Sequence, residues 1–367
     1  MGNDNYTEIL SGKVQLGPYP MERLTKIDKP TILVTDEITR FDEREMGIAR
    51  LRRGDLGIPG STRSPVTGSS PSLSMTLMSA LNPGGVSAEP AEEKIELPDN
   101  PSIISRHIKS MAYFVGADVV GICELPQWAV YSHDSQGNEI ELNHKYAICI
   151  AVDQGCNTMD ASDGNDWISS AQSGRGYAMC GYMGNIVASY IRSMGYPARL
   201  HSIRGYQVVV PPLLLLSGIG EMSRANIVLN PFLGLRFKAS VVTTDLPLKI
   251  DSPVDFGLQD FCDKCMKCAD ECPSRSISSG QKIFKNGYEN WEFNADTCTR
   301  YRFQNPKGVS CGRCIKVCPW NKPEGWTHDL VRWMVERAPA LNSFFIKMDN
   351  MYGYGKADTS KKWWFDP

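Results

Sequence analysis

The chain has 367 residues, of which 42% are hydrophobic and 22% charged, with a formal net charge of −2; this is globular composition in a length well beyond one small module. No long basic run offers a nucleic-acid footprint, and the most apolar stretch, Pro211 to Ile219, is too short to span a bilayer. Met1 to Leu10 has no basic n-region ahead of an apolar run, and Arg52–Arg53 leads into Gly-Asp-Leu-Gly, so no export leader is visible and the expected setting is the cytoplasm.

Residues 1–100 read as an N-terminal extension, with a strand at 31–35, a charged helix at 43–53 and a Gly/Ser/Pro-rich arm over 58–100. An amphipathic helix follows at 102–115, then strands at 118–123 and 146–152, the second apolar almost throughout, as a strand covered on both faces must be. A long helix is predicted over 176–194, closed by Gly195 at C′ with Pro197 beyond. Short strands at 198–203 and 206–210, a segment at 218–230 and a strand at 237–244 complete an α/β or α+β core over residues 101–255. Gly218-x-Gly220 lacks the third glycine of a dinucleotide fingerprint, and Tyr182 reads as core.

Eight of the 12 cysteines fall between 262 and 318. Cys262, Cys265, Cys268 and Cys272, with Pro273, form the C-x2-C-x2-C-x3-C-P run of two-cluster bacterial ferredoxins. Cys311, Cys314 and Cys318, with Pro319, form a second half-motif, and Cys298 is the displaced fourth ligand. Because the last cysteine of each run serves the other cluster, one [4Fe–4S] cluster takes Cys262, Cys265, Cys268 and Cys318, and the other Cys298, Cys311, Cys314 and Cys272. A zinc ribbon also uses C-x2-C pairs but does not call for the C-x3-C-P endings. The ferredoxin-like 2[4Fe–4S] domain spans 256–325, and 326–367 is a C-terminal segment packing on the core. Cys123, Cys149, Cys156 and Cys180 lie outside and read as reduced thiols.

In order and spacing, several segments resemble the catalytic subunit of reductive dehalogenases. They are Gly116-Ala117-Asp118-Val119-Val120-Gly121-Ile122-Cys123-Glu124-Leu125, Tyr190-Ile191-Arg192-Ser193-Met194-Gly195-Tyr196-Pro197-Ala198, Pro211-Pro212 leading to Gly218-Ile219-Gly220-Glu221-Met222-Ser223-Arg224, Thr244-Asp245-Leu246-Pro247-Leu248, both cysteine motifs, Cys318-Pro319-Trp320-Asn321-Lys322-Pro323, and Gly353-Tyr354-Gly355. The resemblance implies a nitroreductase-like core holding a base-off cobalamin, into which the ferredoxin-like domain is inserted as electron supply. It implies halide removal from an organohalide, a halogenated aromatic or phenol, by two electrons and one proton. No twin-arginine leader and no fused flavin or ferredoxin reductase occur in the sequence, which resembles the cytoplasmic catabolic branch and implies a separate low-potential ferredoxin or flavodoxin as donor.

By the same resemblance, Tyr177, opening the long helix, is the proton donor, and Lys238 is the cation that stabilises its phenolate, with Arg236 as the alternative. An ordinary phenol ionises near pH 10, so a neighbouring cation is needed. Ser173 and Arg302 occupy positions that contact a polar group of the substrate, a phenolate or carboxylate. Gly218, Gly220, Glu221, Ser223 and Arg224 are read as the corrinoid cradle. Two rival readings are an epoxyqueuosine reductase, which acts on a tRNA base, and a two-cluster electron-transfer protein without corrinoid. The absent basic footprint argues against the first, and a core larger than any ferredoxin needs against the second.

Overall fold

The computed structural model describes residues 16–58, 88–203, 205–305, 310–322 and 325–362. Most of the Gly/Ser/Pro-rich arm, and Pro323, lie outside the described residues. The 43–53 stretch forms a short helix, α1 (Gly47–Arg53), joined to the cysteine-rich region by an Arg50–Asp296 ion pair of 2.6 Å. The strand expected at 31–35 is reduced to one bridge, Leu33 to Tyr288, flanked by hydrogen bonds from Val34 N to Gly287 O and Glu289 N to Ile32 O. Helix α2 (Pro101–Phe114) begins at a proline in its first turn, with the Asn100 side chain accepting from Ser102 N.

Among the described residues, six strands precede the cysteine-rich region: β1 (Val119–Glu124), β2 (Tyr146–Asp153), β3 (Ala198–His201), the two-residue β4 (Glu221–Met222) and β5 (Val228–Leu229), and β6 (Phe237–Thr244). The main sheet runs β1-β2-β6-β3 with every neighbour antiparallel, so the core is α+β. Alternation along the strands sends Val120, Ile122, Ile148, Ile150 and Val242 to the core under α2 and the long helix. Val119, Cys149, Ala151, Ala239 and Val241 go to the other face, in the core shared with the cysteine-rich region. Burial of both faces explains the near-continuous apolar run of β2.

A short helix, α3 (Cys156–Ala161), leads into the long helix α4 (Trp167–Ser193). The long helix starts nine residues earlier than the sequence pattern predicts. Asp166 caps it, accepting from Ser169 N at 3.0 Å. Its first turns, with Ser169, Ser170, Ala171, Gln172 and Gly174 buried, carry no amphipathic period because small residues admit neighbours on every side. The strand expected at 206–210 is a single bridge, Val130 to Val208. Helix α5 (Val210–Leu216) takes over there, with its prolines in the first turn, where the missing N–H costs nothing. Tyr182 is 64% exposed on α4 rather than core.

The cysteine-rich region contains α6 (Leu258–Lys264), α7 (Lys267–Asp270), the hairpin β7 (Ile277–Lys285) and β8 (Tyr288–Phe293), α8 (Ala295–Gln304) and α9 (Arg313–Lys316). Helices α10 (Trp326–Arg337) and α11 (Asn342–Met351) follow. They pack on this region rather than on the sheet: the Asn342 side chain donates to Asp260 at 2.7 Å, and Gly257 lies against the backbone of Val335 and Glu336. The final described turn reaches the core, through Asp358 N to Asp160 O and a Lys361–Asp160 ion pair of 2.7 Å. Among the described residues no helix is long and apolar enough to cross a membrane.

Where β2 ends and β6 begins, Arg236 Nε donates to Asp153 Oδ1 at 3.1 Å, and neither side chain has exposed surface. A buried charge is tolerable only when paired, and removing one partner typically costs about 3–5 kcal/mol. Asp153→Ala should therefore lower the unfolding free energy by about that much in anaerobic urea titrations. A loss below about 1 kcal/mol, the range of a surface pair, would show that the pair does not hold this junction.

Candidate active site

The eight cysteines of the motif region gather in two groups. Cys318 feels the charges of Cys262, Cys265 and Cys268, and Cys268 those of Cys262 and Cys265. Cys314 feels Cys311, then Cys268 of the first run, Cys298 and Cys272, and Cys298 feels Cys311 and Cys272. Helix α6 carries Cys262 and ends at Cys265, α7 carries Cys268, α8 carries Cys298, and α9 carries Cys314. The thiol of Cys272 differs from the others. Burial pushes it up, but hydrogen bonds with Ser274 and from Ser276 N outweigh that and hold it below the ordinary thiol value.

The remaining seven are pushed up, mainly by burial, Cys262 to about 12. So much buried sulfur becomes thiolate only around a cationic core, and two four-thiol sets suit two iron–sulfur cubanes. Among the described residues no three ligating groups close on a point that one ion would fill, as a zinc ribbon requires.

Tyr177 and Lys238 are brought together. Lys238 Nζ lies 5.2 Å from the Tyr177 ring centroid, within cation–π range. Tyr177 sits well inside α4, not at its opening, and Lys238 pairs with Val152 across β2 and β6. The carbonyl of Lys238 accepts from the Cys180 thiol at 3.0 Å, which pins strand to helix. Gly176 makes room: a Cβ there would stand 2.8 Å from Lys238 Cγ and 3.3 Å from Gln154 Cγ. Arg236 is committed to Asp153 and so does not compete for the tyrosine.

Ser173, one turn back on α4, accepts from Gln154 Nε2 at 3.2 Å. Arg302 lies beside Cys298 and donates through Nε to Ser310 Oγ at 3.1 Å, while Ser310 N donates to Ser170 Oγ at 2.9 Å. That chain ties Arg302 to the same helix, one turn before Ser173, without direct contact.

The residues read as a corrinoid cradle make contacts inside the protein. Gly218 (φ +69°) and Gly220 pack against the backbone carbonyls of Ser252 and Leu229. Ser223 Oγ donates to Ile227 O. Arg224 is 1% exposed, donates to the carbonyls of Cys262, Asp263, Ser278 and Gly280, and stacks on Trp291. Glu221, pushed up to about 7 by burial, accepts from Thr31, Gln259 and the backbone of Phe256. The stretch anchors α6 to the core.

The sequence reading missed Gln154, Gln172 and Tyr206. Gln172 Nε2 donates to the carbonyls of Gln154 and Gly155, yet Gln154 Oε1 and Gln172 Oε1 are buried without a donor. Tyr206 is pushed up mainly by burial and also by the neighbouring Tyr177 and Cys180. The one hint in sequence was the glycine before Tyr177.

Residues 261–322 match the 4Fe-4S dicluster domain family. The tetrachloroethene reductive dehalogenase of Sulfurospirillum multivorans is 34% identical over 185 residues, covering 48% of this chain and 36% of that protein. The solved catabolic reductive dehalogenase NpRdhA is 39% identical, with a TM-score of 0.89 over 96% of this chain and 52% of that one. Over these stretches the chain is similar to reductive dehalogenases. It spans about a third of the Sulfurospirillum relative and about half of NpRdhA. A structure of NpRdhA has been solved in complex with 3-bromo-4-hydroxybenzoic acid. An epoxyqueuosine reductase of Cyclobacterium marinum matches the chain over a shorter stretch, 28% identical over 126 residues and 29% of the chain.

The grouping of thiols makes Cys298 part of one set only. Cys298→Ser should lower bound iron from about eight to about four per chain, the equivalent of one cubane, with one cluster's spectrum retained. Unchanged iron and spectra would remove Cys298 from the ligand set.

Proposed function

We propose that this chain reduces a halogenated aromatic, a phenol or hydroxybenzoate, replacing halogen by hydrogen. The overall change is R–X plus two electrons and one proton, giving R–H and halide. The observation that carries the reading is Lys238 held over the Tyr177 ring, on the helix whose Ser170 accepts from Ser310 N of the cysteine-rich region, with Arg236 withdrawn into its own ion pair. The likeness to NpRdhA, solved with a bromohydroxybenzoate, supports the substrate class.

The cofactors proposed are two [4Fe–4S] clusters and a corrinoid. One cluster is held by Cys262, Cys265, Cys268 and Cys318, the other by Cys272, Cys298, Cys311 and Cys314. B12 dependence is stated for a 39% identical dehalogenase structure. The corrinoid's amide side chains are donors of the kind that Gln154 Oε1 and Gln172 Oε1 lack. When bound, these groups would supply the two electrons and a low-valent metal for cleavage of the carbon–halogen bond. The external electron donor in this reading is a separate low-potential ferredoxin or flavodoxin.

The chain's own residues handle the proton and the orientation. Tyr177 Oη gives its proton to the carbon that loses halide, and the Lys238 ammonium offsets the phenolate that results. Ser173 and Arg302 receive the substrate's phenolate or carboxylate, the hydroxyl by a hydrogen bond and the guanidinium by charge.

Tyr177→Phe keeps the ring and removes the acid, so halide release from a bromophenol should fall about a hundred- to ten-thousand-fold with iron and corrinoid content unchanged. Lys238→Gln should act in the same direction, and the double variant should be little worse than Tyr177→Phe, because the lysine works through the tyrosine. A Tyr177→Phe enzyme keeping more than about a tenth of the rate falls outside the range for a lost general acid and would reject the assignment.

A further inference from the structure

Beside the first thiol set lies a group of buried charges that the proposed reaction does not use. Asp349, on α11, is paired with Lys267, and its Oδ1 lies 2.8 Å from Lys322 Nζ. The three side chains are 13% (Lys267), 6% (Asp349) and 15% (Lys322) exposed. The Lys322 ammonium also lies over the Tyr354 ring, 3.3 Å from centroid to Nζ. Two cations to one anion leave a surplus positive charge in a place poor in water. Lys322 and Asp349 form one wall of a pocket of about 430 Å³ whose other walls include Phe261, Trp320, Val331 and Phe345.

Each member is tied to the first thiol set. Lys267 stands between Cys265 and Cys268, and Lys322 lies four residues beyond Cys318. The charges of Lys267 and Asp349 both act at Cys265. At the second set, the positive charges acting on Cys311 are instead Arg302 and Arg313. The two sets therefore face different fixed charges, and Lys267, Asp349 and Lys322 belong to the first.

We propose that the Lys267–Asp349–Lys322 clamp sets the reduction potential of the cluster held by Cys262, Cys265, Cys268 and Cys318. This rests on the dicluster reading. Reduction adds one electron, and so one negative charge, to a cluster already made anionic by its thiolates. A buried cation nearby stabilises the reduced form and raises the potential, and a buried anion lowers it. Burial in an apolar surround keeps that field from being screened. In this proposal the three residues act by charge alone.

The test is a reductive titration followed by electron paramagnetic resonance, on the loaded protein and again in a Cys298→Ser background that keeps the first cluster alone. Lys322→Gln should lower that cluster's potential, Asp349→Asn should raise it, and Lys322→Arg should restore the wild-type value. The second cluster should not move. A clamp that only held α11 in place would shift both neutralising variants the same way or neither, and either result overturns the proposal. Equal shifts in both clusters would also overturn it. Iron well below two clusters per wild-type chain would instead fail the dicluster reading, and this inference with it.

Discussion

A guanidinium without exposed surface has to meet a carboxylate, and Arg236 meets Asp153 at the junction of β2 and β6. The pair draws further support around it: Gly155 N donates to Asp153 Oδ1, Asp153 N donates to the Asp118 side chain, and Gln154 N donates to Arg236 O. The two strand ends are thereby held in register immediately before Lys238. Two residues on, Lys238 shares the parity of Arg236 but faces α4, where Gly176 leaves a gap for its stem and Tyr177 offers its ring. One basic residue is spent on structure so that the next can serve the site.

The second constraint is the crossing of the two cysteine runs. Cys318 joins the group of the first run and Cys272 the group of the second, so neither half of the motif closes without the other. Arg224 and Glu221 extend this to the core, Arg224 by gripping the carbonyls of Cys262 and Asp263 and Glu221 by accepting from the segment that enters α6. The cysteine-rich region is thus built onto the same framework that carries Tyr177 and Lys238.

Spacing made the cysteine motifs legible, because thiols that serve one cluster must recur at intervals set by its shape. Alternation and apolar runs made the four sheet strands legible. The front of α4 was not, since Ser169, Ser170 and Gly174 give no period when a helix is buried on all sides. In the Gly218–Arg224 stretch the spacing did not reveal that the glycines admit protein backbone and that the polar side chains answer buried carbonyls and amides. Gln154 was invisible because its importance comes from lying across from Ser173, 19 residues away in sequence.

The account turns on whether Lys238 must stand over Tyr177, and Gly176 offers a way to test that without altering either residue. In Gly176→Ala the added methyl would sit 2.8 Å from Lys238 Cγ, close enough to push the lysine aside. The steady-state rate of halide release from a halogenated phenol is the measurement, taken with iron, corrinoid and melting temperature on the same preparation. The account predicts a rate at least about tenfold lower, toward the loss expected without acid assistance, with cofactor content and melting temperature close to wild type. A Gly176→Ala enzyme that turns over at the wild-type rate would contradict it.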